Sequence, residues 1–206
     1  TGSYRYDKNF APVYYAQSEG VPTPIIMYFE NNGDGTYVRK DEKVENIKFH
    51  SKTVNVYPSF GQLRRGSPPD LIIVERRAKE GLRPDFDSIR KNDIGIVQIF
   101  RFTQGYMDKV EVESRGHLKN IGTLDSPLPN GQWPLVVARM SSDDSNDHVD
   151  VFAGGERLVH FNVSSTGVMQ DITTTFLTSA VVLPTNVIGI VPVVHDLNRD
   201  GLLDLI

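Results

Sequence analysis

The 206-residue chain contains no cysteine. That absence removes disulfide frameworks, CxxC redox centres, thiolate zinc sites and a cysteine nucleophile together. It leaves the compartment open, because an oxidising environment permits disulfides without demanding them. Neither sign of charge dominates: 22 Lys+Arg face 26 Asp+Glu, a net charge of −4. A chain that neutralises a phosphate backbone needs a basic surplus, so nucleic acid is not expected as a partner. No apolar run approaches the about 18 to 20 residues of a membrane-spanning helix. The nearest, Ala180 to Val194, is interrupted by Pro184, Asn186 and Pro192. Apolar spacing of the i, i+3, i+4, i+7 kind seldom lasts beyond two turns, so helices are expected to be scarce. The GxSxG, HExxH, Walker and GxGxxG patterns are also missing. His50, His117, His148, His160 and His195 lie far apart with no ligand spacing, and each reads as a satisfied or surface histidine. A carboxylate pair for glycoside chemistry is a tertiary property, and the sequence makes no positive case for one.

What is present is β-structure. Pro24 to Phe29, Leu71 to Val74, Gly95 to Phe102, Leu135 to Ala138, Val149 to Phe152, Leu158 to Val163 and Val187 to Val194 are short apolar runs. Turn residues bound them: Asn31 to Gly35, Gln104-Gly105, Asn130-Gly131 and Gly154-Gly155. An all-β fold follows: a sandwich, a barrel or a propeller. The amino terminus, Thr1-Gly2-Ser3, has neither the basic nor the apolar region of a signal peptide and reads as a mature or processed end. The chain stops at Asp204-Leu205-Ile206, at what reads as the opening of a strand, so a segment of something longer is expected.

A repeat comparison discriminates among the three architectures. Pro69-Asp70-Leu71-Ile72-Ile73-Val74 matches Trp133-Pro134-Leu135-Val136-Val137-Ala138, and Leu203-Asp204-Leu205-Ile206 follows. Repeats of about 60 to 70 residues suit a four-stranded propeller blade. The expected units are residues 11–68, 69–132 and 133–202, with a next blade opening at 203–206. Asn31-Asn32-Gly33-Asp34-Gly35-Thr36-Tyr37, together with Asp196 to Ile206 (DLNRDGLLDLI), resembles the FG-GAP/VCBS repeats of integrin-α-like β-propellers. The resemblance implies an all-β, partial β-propeller of about three four-stranded antiparallel blades. An open arc of blades exposes apolar faces, so another chain or further blades are expected to close it.

The strongest chemical motif is the Asp196 to Asp204 loop. Asp196, Asn198, Asp200 and Asp204 place oxygen side chains at loop positions 1, 3, 5 and 9, and Leu202 offers a carbonyl at position 7. A hard cation such as Ca²⁺ takes about six to eight oxygens, and Gly201 permits the sharp turn that gathers alternate side chains. The alternative is a loop held by Asx turns alone. The corresponding loops before Asp70 and Pro134 carry Gln62, Arg64 and Gly66, or Ser126, Leu128 and Asn130, and are expected to bind no metal. Asp70 and Asp125 read as turn caps.

Other features have plainer readings. Asn31 to Gly35 has alternate oxygens, but Asn-Gly and Asp-Gly make hairpin turns. The acidic segment Ser141 to Asp150 reads as a solvated loop, and Glu75 to Asp93, nearly charge-balanced, as an exposed insertion. Trp133 is expected to pack between blades, and Asn162-Val163-Ser164 is a bare sequon. By resemblance the chain is a non-enzymatic, calcium-stabilised binding or scaffold module in an extracellular, cell-surface or other extracytoplasmic setting. Its ligand is a protein or a glycan reached through inter-strand loops. Two other classes share the features: a carbohydrate-binding or carbohydrate-active propeller, and a purely structural subunit of a larger assembly.

Overall fold

The computed structural model describes residues 5–6, 12–13, 26–50, 53–77, 94–119, 121–123, 128, 134–141, 147–154, 158–173 and 191–206. Among these the chain is antiparallel β with almost no helix. Two strands, β1 (Arg5–Tyr6) and β2 (Pro12–Val13), pair with each other. A hairpin of β3 (Phe29–Asn31) and β4 (Tyr37–Arg39) follows. The first large sheet is a meander in the order β5 (Thr53–Gly61), β6 (Asp70–Arg77), β7 (Ile94–Thr103) and β8 (Tyr106–Lys109). The second is also a meander: β9 (Leu135–Ala138), β10 (His148–Ala153), β11 (Val159–Ser164) and β12 (Met169–Asp171). β13 (Val194–His195) and β14 (Asp204–Leu205) form a final hairpin. No sheet closes on itself among the described residues.

The period of two along each strand decides the packing. In β6, Ile72 and Val74 point to one face and Leu71 and Ile73 to the other, and all four are buried. The first face joins Val97 and Ile99 of β7 to Val137, Val149, Val151 and Val163 of the second sheet in one apolar cluster. The second face joins Leu71, Ile73, Phe100 and Met107 to Val44, Ile47 and Tyr28 of the preceding segment. β6 is therefore covered on both sides, which is why its apolar run is continuous rather than alternating. Fully burying a Val, Ile or Phe side chain contributes about 1.5–3 kcal/mol relative to leaving it exposed.

Residues 26–50 lie as a cover on the second face. Lys43 fastens it, with Nζ 2.8 Å from Glu30 Oε1 and above the rings of Tyr28 and Phe102. The turn of the β3–β4 hairpin is made as Asn-Gly and Asp-Gly dictate. Gly33 and Gly35 have φ of 85° and 87°. The Gly33 N–H donates to Asn31 Oδ1, and the Thr36 N–H to Asp34 Oδ1. Its side-chain oxygens are engaged in the turn, as the hairpin reading requires.

The two segments matched in the repeat comparison occupy different places. Asp70–Val74 belongs to the second strand of its sheet, whereas Leu135–Ala138 is the first strand of its own. A short buried apolar run looks the same at either position. β5, which carries Pro58, is the terminal strand in its sheet's order, where a missing N–H is tolerated.

The two sheets lie close together at Gly61, the last residue of β5. A Cβ there would lie 2.6 Å from the Val137 carbonyl oxygen and 2.8 Å from Val137 Cβ. Both neighbours belong to β9, so relief requires moving one sheet against the other. Gly61→Ala is expected to destabilise the fold by about 1–3 kcal/mol through overpacking. The midpoint of urea unfolding, with an unchanged slope, checks this.

Candidate functional site

The Asp196–Asp204 loop is framed by β13 and β14, whose register pairs Val194 with Leu205 and His195 with Asp204. Reciprocal bonds between Val193 and Ile206 extend the frame by one residue. Arg199 and Gly201 both adopt positive φ, 63° and 87°, and this alternation folds the loop over its own side chains. Asp196 accepts the N–H groups of Asp200 at 3.2 Å and Gly201 at 3.0 Å. Asn198 Oδ1 accepts the Asp200 N–H at 3.0 Å, and Asp200 Oδ1 the Leu202 N–H at 2.8 Å. Asp204 closes the loop by accepting the Leu197 N–H at 2.9 Å.

The structure thus brings Asp196, Asn198, Asp200 and Asp204 into one hydrogen-bonded turn, with Leu202 at its exposed rim. Every donor in the set is an oxygen, the chemistry a hard cation takes, and a carboxylate accepting one N–H retains further lone pairs. Among the described residues, no group of three or more His, Asp or Glu side chains is arranged to hold a metal ion. The loop's geometry is accounted for by its own hydrogen bonds.

Two buried polar centres are more tightly built. Glu75, fully buried on the second face of the first sheet, accepts the His50 N–H at 2.7 Å and the Thr53 hydroxyl with one oxygen. Its other oxygen takes Gln98 Nε2 and Arg77 Nη2, each at 2.7 Å. Burial pushes this carboxyl up, but the bonds from Arg77, Thr53 and His50 outweigh it and hold it below the usual glutamate range. In the second sheet, Asp150 Oδ1 lies 2.8 Å from His160 Nε2, and Oδ2 accepts the Met140 N–H at 3.0 Å. Here too burial opposes ionisation, and the bonds from His160 and Met140 overcome it, leaving the Asp150 carboxyl lowered. The His160 ring stacks on Phe152 with centroids 4.3 Å apart and is 1% exposed, so the pair is structural.

Asp70 is more than a turn cap. It is buried at the head of β6, and its carboxylate meets Arg101 of β7 through two bonds, at 2.8 and 3.1 Å. Such a fork fixes the guanidinium plane. Of the acidic segment 141–150, residues 142–146 lie outside the described residues; Asp147 is exposed, as a solvated loop requires, with Oδ1 3.6 Å from His117 Nε2 and 3.7 Å from Arg139 Nη2. The bulk of the Glu75–Asp93 insertion, together with Asp125 and Trp133, lies outside the described residues.

Sequence reasoning missed one gathering of side chains. Arg64, Arg65, Arg101, Arg115, Arg139 and His117 line a single cavity of about 310 Å³. Their numbers span 76 positions with no common spacing, and only the packing of the two sheets brings them together. Against protein-family models, curated proteins and solved structures, the chain matches none.

The Glu75 centre makes a testable statement about pH. Because its folded-state pKa is depressed, the folded protein binds fewer protons there than the unfolded chain. The resulting stability is complete above the ordinary glutamate range and is lost as pH falls through the folded-state value. Glu75→Gln places amide hydrogens against Arg77 and Gln98 and is expected to cost about 2–3 kcal/mol at pH 7. The gap to the unmodified protein is expected to narrow below about pH 4.5, as urea midpoints across pH 7 to 3 would reveal.

Proposed function

We propose that the chain is a non-enzymatic binding or scaffold module whose sheets are blades of a β-propeller. The observation that carries this reading is the pair of consecutive four-stranded antiparallel meanders sharing one apolar cluster. Blades are meanders of this kind, stacked by their faces. The resemblance of Asn31 to Tyr37 and Asp196 to Ile206 to FG-GAP/VCBS repeats supports the same reading.

In this reading Asp196, Asn198, Asp200 and Asp204, with the Leu202 carbonyl, hold Ca²⁺. The bound ion supplies a charge that draws the three carboxylates together and stiffens the turn. The chain's own part is to present those oxygens from a loop already bent at Arg199 and Gly201. Val191, Val193, Leu197, Leu202 and Ile206 expose apolar surface along the same hairpin, the kind of surface a further blade or another chain covers. The ligand is a protein or a glycan taken by inter-strand loops, in an extracytoplasmic setting.

The test is a thermal melt of the protein with calcium and with chelator, beside Asp200→Ala. Calcium at about 100 times its Kd stabilises by about 2.7 kcal/mol. That corresponds to about 5–10 °C for a chain of this size. Asp200→Ala is expected to abolish the difference. Equal midpoints for the unmodified protein in calcium and chelator would refute the calcium assignment.

A further inference from the structure

The cavity noted above is built from both sheets. Arg64 and Arg65 stand on the turn after β5, Arg101 on β7, Arg115 and His117 on the 3-10 segment Val112–Leu118, and Arg139 just after β9. Asp147 is the one carboxylate among its lining residues. In a protein of net charge −4, five guanidiniums around 310 Å³ are a local inversion of sign. Most cationic side chains on a protein surface spread apart to avoid this repulsion.

The lining cations differ in how far the protein itself neutralises them. Arg101 is forked onto Asp70 from behind. Arg139 donates through Nη1 to the His148 carbonyl at 2.9 Å, with Asp147 at 3.7 Å. Arg115 is the exception. It is 5% exposed, its Nη2 donates to the Ile121 carbonyl at 2.8 Å, and its Nε, like that of Arg139, has no partner among the described residues. No carboxylate pairs with it among the described residues, and burial lowers its pKa to about 10, which still leaves it charged at neutral pH. A buried charge with no counter-ion among the described residues costs stability, and an anion taken into the cavity would supply one.

We propose that this cavity binds a tetrahedral oxyanion, the phosphate or sulfate group of a small molecule, with Arg115 at its floor and Arg64 at its mouth. The chemistry favours a tetrahedral anion over a carboxylate. A carboxylate matches one guanidinium fork, whereas phosphate or sulfate offers oxygens in several directions and satisfies forks from several sides. The concave site suits a discrete group rather than an extended strand. The mouth is pre-shaped: Gln62 Nε2 donates to the Ser67 carbonyl at 2.9 Å and the Ser67 N–H to the Arg64 carbonyl at 3.2 Å, which holds the turn bearing Arg64.

Calorimetric titration and thermal melts of the full chain test this, with inorganic phosphate, inorganic sulfate, glucose 6-phosphate and acetate as probes, each to about 10 mM. Phosphate or sulfate is expected to bind and raise the midpoint, with acetate weaker by about tenfold or more. Glucose 6-phosphate binding more tightly than phosphate identifies an esterified ligand; equal affinities identify the free anion. Arg115→Met is expected to cut affinity about tenfold or more, while its ligand-free midpoint also registers the Ile121 carbonyl left without its donor. A merely structural arginine would leave the anion affinity of the folded protein unchanged. Exposed Arg64→Ser is expected to weaken binding several-fold with the ligand-free midpoint unchanged, which keeps the test valid should Arg115→Met fail to fold. The proposal is overturned if no tetrahedral anion binds, if acetate binds as well as phosphate, or if binding survives Arg64→Ser undiminished.

Discussion

Two antiparallel sheets that must bury facing apolar sides against each other impose the main constraint on this molecule. Ile72, Ile99, Val149 and Val163 are each wholly inaccessible. Gly61 leaves room for Val137 of the facing sheet, where a Cβ would collide. Once that seam is set, the register of every strand follows from the alternation of its side chains. The seam also fixes where polar groups fall. Glu75 faces away from it, beside His50 and Thr53, while Asp70 and Arg101 sit at its end.

The polar interior divides by location. Glu75 and Asp150 are carboxylates whose lone pairs are met by donors from other segments, and each ties a loop to a sheet: His50 and Thr53 in one case, Met140 in the other. Breaking such a centre by removing one partner costs more than its formation contributes, because the others are left buried and unsatisfied. The arginines at the end of the seam follow the opposite logic. Five guanidiniums gather there around one cavity, and Asp147 is the one carboxylate among the residues that line it.

What was legible in the sequence was local. β6, β7, β9, β10 and β11 were visible as apolar runs, and the Asn31 to Gly35 hairpin as a turn, because side-chain period and glycine φ are properties of a few consecutive residues. The Asp196–Asp204 loop was legible for the same reason, since all its bonds form within nine positions. β5 was not, because Asn55, Pro58 and Ser59 break its apolar pattern, and its place as a strand comes from β6 beside it. Asp70 was misjudged as a cap because Arg101, its partner, is 31 positions away. The arginine cavity left no trace at all, having neither spacing nor local composition.

Pro58 in β5 has a consequence for how such sheets accumulate. A strand at the end of its sheet is a template on which a foreign strand can zip, donor by donor. A proline interrupts that row of donors and makes lateral extension a poor fit. The faces that meet in the seam carry no such interruption, being lined mainly by Val, Ile and Leu. The two large sheets therefore join face to face, and the proline-bearing end strand is left a poor template for a further strand.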